Sequence, residues 1–158
     1  MDITLVENDN KFFYRVSAII LNEDLSKILL FRVKDKDLYM LLGGKVKMLE
    51  ESKKAIIREI KEELGYENID FDFLGISEEF VNAKGYNNHQ LNIIYKGIYK
   101  DNIKENVFCG LEGDWALYEW IDINDINKYN VFPVNIKEML KNLNINYHIV
   151  ENLLERND

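Results

Sequence analysis

The segment that most constrains this chain runs from Gly43 to Tyr66: Gly-Gly-Lys-Val-Lys-Met-Leu-Glu-Glu-Ser-Lys-Lys-Ala-Ile-Ile-Arg-Glu-Ile-Lys-Glu-Glu-Leu-Gly-Tyr. It reads as a glycine-rich loop running straight into one amphipathic helix, which Gly65 stops. Ile56, Ile60 and Leu64, with Ala55 and Ile57 beside them, form an apolar stripe at helical spacing, so one side of the helix needs a core to lie on. Glu59, Glu62 and Glu63 stand at i, i+3 and i+4, a spacing that gathers three carboxylates on one face. Like charges held that close repel unless a cation lies among them. Lys53, Lys54, Arg58 and Lys61 could act as that cation by pairing with the glutamates on a solvated face. The two glycines and the fixed spacing favour a metal site instead.

Counted out, the segment is Gly44, five residues, Glu50, seven residues, Arg58-Glu59-Ile60, one residue, Glu62-Glu63, one residue, Gly65. This pattern resembles the Nudix box, and the Leu-Leu-Gly-Gly before it, with Tyr39 just upstream, is similar to the family's lead-in. Three positions depart from the usual form. Leu42 stands where a proline is common, Leu49 where a glycine precedes the first glutamate, and Tyr66 where an aliphatic residue closes the box. All three concern loop shape or packing, and every carboxylate of the box is kept.

The chain of 158 residues fits a single domain, 1–158, large enough to bury its own core. Hydrophobic residues at 47% and charged residues at 30% are ordinary for a globular protein. A net charge of −8 argues against general nucleic-acid binding, which needs clustered Lys and Arg. It is compatible with a small polyphosphate substrate if divalent metal lies between carboxylate and phosphate. Apolar runs such as Ser17 to Leu21 are too short for a membrane span or a signal-peptide core, so a cytoplasmic protein is the expectation. Cys109 is the sole cysteine, which excludes an internal disulfide and a cysteine-based zinc cluster; it reads as a partly buried hydrophobe.

Strand patterns occupy Phe12 to Leu21, Lys27 to Val33 and Leu38 to Leu42, followed by the box helix. Ile69 to Val81 and Gln90 to Tyr99 read as a long hairpin around the turn Asn82 to Asn88, and a polar loop, Lys100 to Gly113, leads to a strand over Trp115 to Ile121. Asp122 to Leu143 reads as mostly helical with a break at Phe132-Pro133, and Asn144 to Asp158 as a short helix or frayed end. The pattern predicts a mixed α+β domain with helices packed on a sheet. The resemblance sharpens this to a Nudix-like α/β/α sandwich with a mixed sheet.

Cleaving a diphosphate linkage with water requires charge neutralisation at phosphorus and a positioned nucleophile, both of which Mg²⁺ supplies. The resemblance implies Mg²⁺, with Mn²⁺ as a substitute, held by Glu59, Glu62 and Glu63, with the carbonyl of Gly43 as a further candidate ligand. One of these glutamates would orient or deprotonate the water, with none singled out. Glu50 and Arg58 are implied to hold loop to helix through charge-assisted hydrogen bonds. Family members often recruit one more glutamate before the tryptophan-bearing strand. Glu112 is best placed for that, with Glu78 and Glu79 as rivals.

Substrate-binding candidates are Arg32 for phosphate, Tyr86 for stacking on a base, and His89; each also has a plain structural role open to it. His148 reads as structural. The resemblance implies a pyrophosphohydrolase of a nucleoside diphosphate linked to another moiety, with a homodimer as a common family assembly. The other function classes are a non-catalytic Nudix-fold nucleotide-binding or sensor module, and an interaction protein with a charged helix. Retention of every box glutamate favours the enzyme over both. Oxidised nucleoside triphosphates, nucleotide sugars and capped RNA ends all stay open as substrates.

Overall fold

Runs of Ile, Leu, Val and aromatic residues, cut by polar turns, build the chain almost entirely from strands. The computed structural model describes residues 1–154. In chain order the first elements are β1 (Thr4–Glu7), β2 (Asn10–Asn22), β3 (Lys27–Val33), β4 (Tyr39–Met40), β5 (Leu42–Lys45) and α1 (Ser52–Leu64). There follow β6 (Asp72–Ala83), β7 (Tyr86–Tyr99), β8 (Val107–Gly110) and β9 (Gly113–Asp122), then a 3₁₀ turn at Ile123–Lys128, β10 (Val131–Phe132), α2 (Ile136–Met139) and β11 (Tyr147–Asn152).

The strands form one mixed sheet in the order β10-β4-β3-β2-β7-β6-β11. Its spine is the parallel pair β2 and β7, in register from Asn10 with Asn87 to Asn22 with Tyr99. The other edge of β2 is shared: β1 pairs its start, β5 pairs Arg15–Ala18 and β3 pairs Ile20–Leu21, all antiparallel. β6 and β7 form the expected hairpin, and β9 joins through β3.

Because side chains alternate along a strand, β2 feeds two cores. Val16, Ala18 and Ile20 face α1, where Ala55, Ile56 and Ile60 close the first core with Tyr95, Tyr118 and Trp120. Ile19 and Leu21 point the other way, into a second core closed by Ile126, Ile136 and Met139. Toward the start of β2 that second face carries Lys11, Phe13, Arg15 and Ser17, which line a cavity.

Several local expectations are corrected. Asp122 to Leu143 is not mostly helical: Val131–Phe132 pairs with β4, which leaves the 3₁₀ turn and the four residues of α2 on either side. The tail is a strand, β11, parallel to β6 from Tyr147 with Gly75 to Asn152 with Phe80; residues 155–158 of that expected helix lie outside the described residues. Leu38 to Leu42 divides at the buried Leu41 into β4 and β5, and the loop Lys100 to Gly113 contains β8. Ile57 is exposed rather than part of the packed stripe, and Cys109 is exposed too.

Candidate functional site

Helix α1 ends as its sequence requires, with Gly65 in the left-handed region (φ 69°) and its N–H donating to the Lys61 carbonyl at 2.8 Å. The helix is bolted to the loop before it by Arg58. Its Nε donates to Glu50 Oε1 at 2.8 Å and its Nη2 to Glu50 Oε2 at 3.0 Å, a two-pronged pair, while Nη2 also reaches the Lys45 carbonyl at 3.1 Å. Glu50 Oε2 in turn accepts from the Lys47 amide at 2.9 Å. These bonds from Arg58 hold the Glu50 carboxyl at a pKa of about 2. Leu49, just before it, takes φ 63° and is wholly exposed, which accounts for the glycine usual at that position.

The three clustered carboxylates do not share one environment. Glu62 is exposed, Glu59 is partly buried, and Glu63 falls in the buried row with Ile56 and Ile60 rather than on the solvent side. Arg58 Nη1 donates to Glu59 Oε1 at 2.6 Å and to Glu62 Oε2 at 3.2 Å, so a guanidinium already borders this face. Gly44 lies directly against the Glu59 carboxylate, where a Cβ would collide with it. Glu63 is 8% exposed and its Oε2 has no hydrogen-bond partner. Burial pushes its pKa up to about 8, against the pull of Arg15 and with an added push from Glu59 and Glu112. The Tyr118 hydroxyl is likewise buried without a partner, its pKa raised by burial and then by Glu63, Glu112 and Glu59.

Glu112 thus lies within electrostatic reach of Glu63. Glu78 pairs with His148 at 2.7 Å, and Glu79 is buried beneath the cavity, bonded to Gln90 and Asn92. Among the described residues, no three His, Cys, Asp or Glu side chains stand as a ready-made metal cluster. The donor set nevertheless fits a hard divalent cation: it is all carboxylate oxygen, one of the oxygens is buried and unpartnered, and Glu59 and Glu62 are already drawn toward positive charge.

On the face of β2 turned away from α1 lies a cavity of about 520 Å³ between β2, β7 and the tip of the β6–β7 hairpin, linked to the box carboxylates through the charge of Arg15. Lys11, Arg15, Lys45 and Lys84 line it against a single carboxylate, Glu79, a local excess of positive charge in a chain of net charge −8. Phe13, Tyr86 and Phe132 give it aromatic walls, with Lys11 over the Tyr86 ring and Lys45 over Phe13. Tyr86 is therefore in the cavity. Arg32 instead faces Glu119 at 3.5 Å and stacks on Tyr39, outside the lining, and His89 is held between Phe12 and Phe80. Sequence reasoning missed Arg15, which lines the cavity and also acts on Glu59, Glu63 and Glu79. Its signal was the alternation Lys11, Phe13, Arg15, Ser17. The polar alternation Asn88, Gln90, Asn92 in a strand too central to be solvated was a second missed signal.

The sheet, the loop-to-helix junction and the box together define a Nudix domain: the family model described as the NUDIX domain matches residues 11–143, and the chain belongs to that family. Among curated proteins it is similar to the m7GpppN-mRNA hydrolase of Saccharomyces cerevisiae, 29% identical over 127 residues that cover 79% of this chain. The chain spans only 12% of the length of that relative. Among solved structures it is similar to a mutator MutT protein of Bacillus halodurans, with a TM-score of 0.67 and 15% identity over 89% of this chain and 90% of that one. The NUDIX domain of Shewanella oneidensis NrtR, solved with ADP ribose, gives a TM-score of 0.62 at 14% identity over 86% of this chain and 88% of that one. At these identities the likeness to solved structures is one of fold. No helix among the described residues is long and apolar enough to cross a membrane.

Proposed function

We propose that this protein is a Mg²⁺-dependent pyrophosphohydrolase that cleaves a diphosphate linkage in a nucleoside diphosphate derivative. The observation that carries this reading is the meeting of the two features at Arg15, which lines the cation-rich cavity and acts on Glu59 and Glu63, while Glu63 keeps a buried oxygen free. The nucleoside enters the cavity between its aromatic walls, and Arg15 and Lys45 draw the phosphates toward α1. Glu59, Glu62 and Glu63 hold the metal, with the Gly43 carbonyl and Glu112 as further ligands. A divalent cation held there would neutralise the phosphoryl oxygens and ease deprotonation of the attacking water. Arg58 and Glu50 keep the glutamates at fixed distance from the loop, which is a positioning role. One box glutamate takes the proton of the attacking water.

Retention of all the box carboxylates favours an enzyme over a nucleotide sensor of the same fold. The test is phosphate release from a panel of nucleoside triphosphates, nucleotide sugars, dinucleotides and capped RNA, with Mg²⁺, with Mn²⁺ and with EDTA. Turnover with metal and none with EDTA is expected. Undiminished turnover in chelator overturns the metal role, and binding without turnover on every substrate returns the protein to the sensor class.

A further inference from the structure

Two side-chain amides on the cavity floor are held in one orientation each. Asn88 Nδ2 donates to the backbone carbonyls of Ala83 at 2.9 Å and Tyr86 at 3.1 Å, which uses both its hydrogens at the hairpin tip. Gln90 Nε2 donates to the buried carboxylate of Glu79, an acceptor that admits only the amide nitrogen. With the nitrogens committed, Asn88 Oδ1 and Gln90 Oε1 are the free ends. Among the described residues neither oxygen accepts a hydrogen bond, and neither is sealed from solvent. Both residues line the cavity from the same face of β7.

The orientation of Gln90 is fixed from a distance. Arg15 Nε can only donate, and it donates to Ser17 Oγ at 3.3 Å. The Ser17 hydroxyl therefore spends its proton on Asn92 Oδ1 at 2.9 Å. Asn92 must then turn its nitrogen to Glu79 Oε1, at 3.1 Å, which leaves Glu79 Oε2 to receive Gln90. The relay from Arg15 through Ser17, Asn92 and Glu79 ends on an amide whose oxygen faces the ligand.

We propose that Asn88 and Gln90 form an acceptor pair that selects nucleobases bearing an exocyclic amine over their oxo counterparts, and that Glu79 is the positioning residue that sets this preference. The proposal rests on the reading above that the cavity takes the nucleoside. A base edge with N–H donors satisfies the two oxygens, whereas a carbonyl edge opposes them and leaves them desolvated and unpaired.

The test is calorimetric binding of nucleoside monophosphates, which contain no diphosphate linkage and so need neither turnover nor metal. AMP is compared with IMP, GMP with XMP, and CMP with UMP. The amine-bearing member of the tighter-binding class should bind about three- to tenfold more strongly than its oxo counterpart. The Glu79→Gln variant, nearly unchanged in volume, supplies the second readout. The relay still presents the Asn92 nitrogen to position 79, so the new carboxamide gives its oxygen to Asn92 and its nitrogen to Gln90. Gln90 must then turn over and offer N–H to the cavity, and the preference should vanish or invert while overall affinity falls less. A merely structural Glu79 would weaken all nucleotides alike. Equal binding of amine and oxo partners by the wild type overturns the proposal, as does an unchanged ratio in the variant or no binding of any monophosphate. Selective binding of monophosphates with no hydrolysis of the substrate panel would remove the proposed enzyme activity and leave the base preference standing.

Discussion

The backbone carbonyl of Glu63 accepts a hydrogen bond from the Leu111 amide at 2.8 Å, so the last turn of the box helix is tied to the β8–β9 turn. That one bond carries the neighbouring Glu112 to the edge of the carboxylate group, where it adds to the burial that raises the Glu63 pKa. As the proposed outer ligand, exposed and adding charge to a site the helix already defines, Glu112 should cost less than any box glutamate: Glu112→Gln should lower kcat by about tenfold. A silent Glu112→Gln, measured with saturating Mg²⁺, would remove it from the metal site.

The box glutamates should cost far more. Glu62→Gln and Glu63→Gln preserve shape and remove one ligand charge each, and kcat should fall by roughly two to four orders of magnitude. Steady-state kinetics on the best substrate of the panel decide this. Near-normal kcat in both variants would mean that the metal sits elsewhere.

Glu63 and Glu50 pull stability in opposite directions with pH. Glu63 has a folded pKa of about 8 against an ordinary value of 4.5, so between those values the folded protein keeps a proton that the unfolded chain has lost. Stability from this group therefore falls as pH rises across that window, by at most about 1.4 kcal/mol per pH unit. Glu50, held at about 2, contributes stability that is present above pH 4.5 and lost as pH falls toward 2. In EDTA the melting temperature should peak near pH 5. Glu63→Gln should flatten the alkaline side of the curve and leave the acid side as it is. An unchanged alkaline limb in that variant would show that Glu63 is not the titrating group.

Metal reverses the first of these trends. A cation that binds ionised Glu63 must displace its proton below pH 8, so Mg²⁺ affinity should rise with pH and level off above that value. At a hundred times its dissociation constant the ion stabilises the folded state by about 2.7 kcal/mol, several degrees in melting temperature. Wild type should gain more from Mg²⁺ than Glu63→Gln does, and the gain should grow from pH 6 to pH 8. Thermal shifts with and without Mg²⁺ at both pH values test it, and equal gains for the two proteins would exclude Glu63 as a ligand.

Leu49→Gly should stabilise the protein. A leucine at φ 63° carries a steric cost of about 1–2 kcal/mol that glycine avoids, partly offset by glycine's greater chain entropy when unfolded. Since the Leu49 side chain is fully exposed, no packing is lost. The expected rise is a few degrees in melting temperature by calorimetry, and a fall would show that the side chain makes contacts in solution that offset the strain.

The part of the site that sequence made legible is local. Gly44, Glu50, Arg58 and the three glutamates sit at spacings fixed by one loop and one helix, and Gly65 marks the helix end by its own conformational freedom. Strands such as Lys27–Val33 were readable because apolar runs stop at polar turns. The C-terminal third misled because Ile123, Ile126, Ile136 and Met139 do show helical spacing, yet Val131–Phe132 between them pairs with Tyr39–Met40, a partner some 90 residues upstream. Tyr147–Asn152 becomes a strand by pairing with β6, where Gly75 admits the Tyr147 backbone at close range, which no pattern near residue 147 reveals. The cavity floor escaped for the same reason. Asn88, Gln90 and Asn92 look like an ordinary polar alternation until β2 and β6 cover both edges of their strand.

The pairing of β2 with β7 also has a consequence for how the molecule comes into being. Asn10 and Asn87 lie 77 positions apart, and the helix that carries the carboxylates is inside the loop this pairing closes. Such a contact forms slowly, because chain entropy is lost before any strand is gained. Until it forms, Ala55, Ile56 and Ile60 have no surface to cover, and a helix of 13 residues is marginal alone in water. A peptide cut from residues 43–66 would carry the whole signature and hold no ion. The metal site proposed for this chain would be a property acquired late, when the two distant strands have already met.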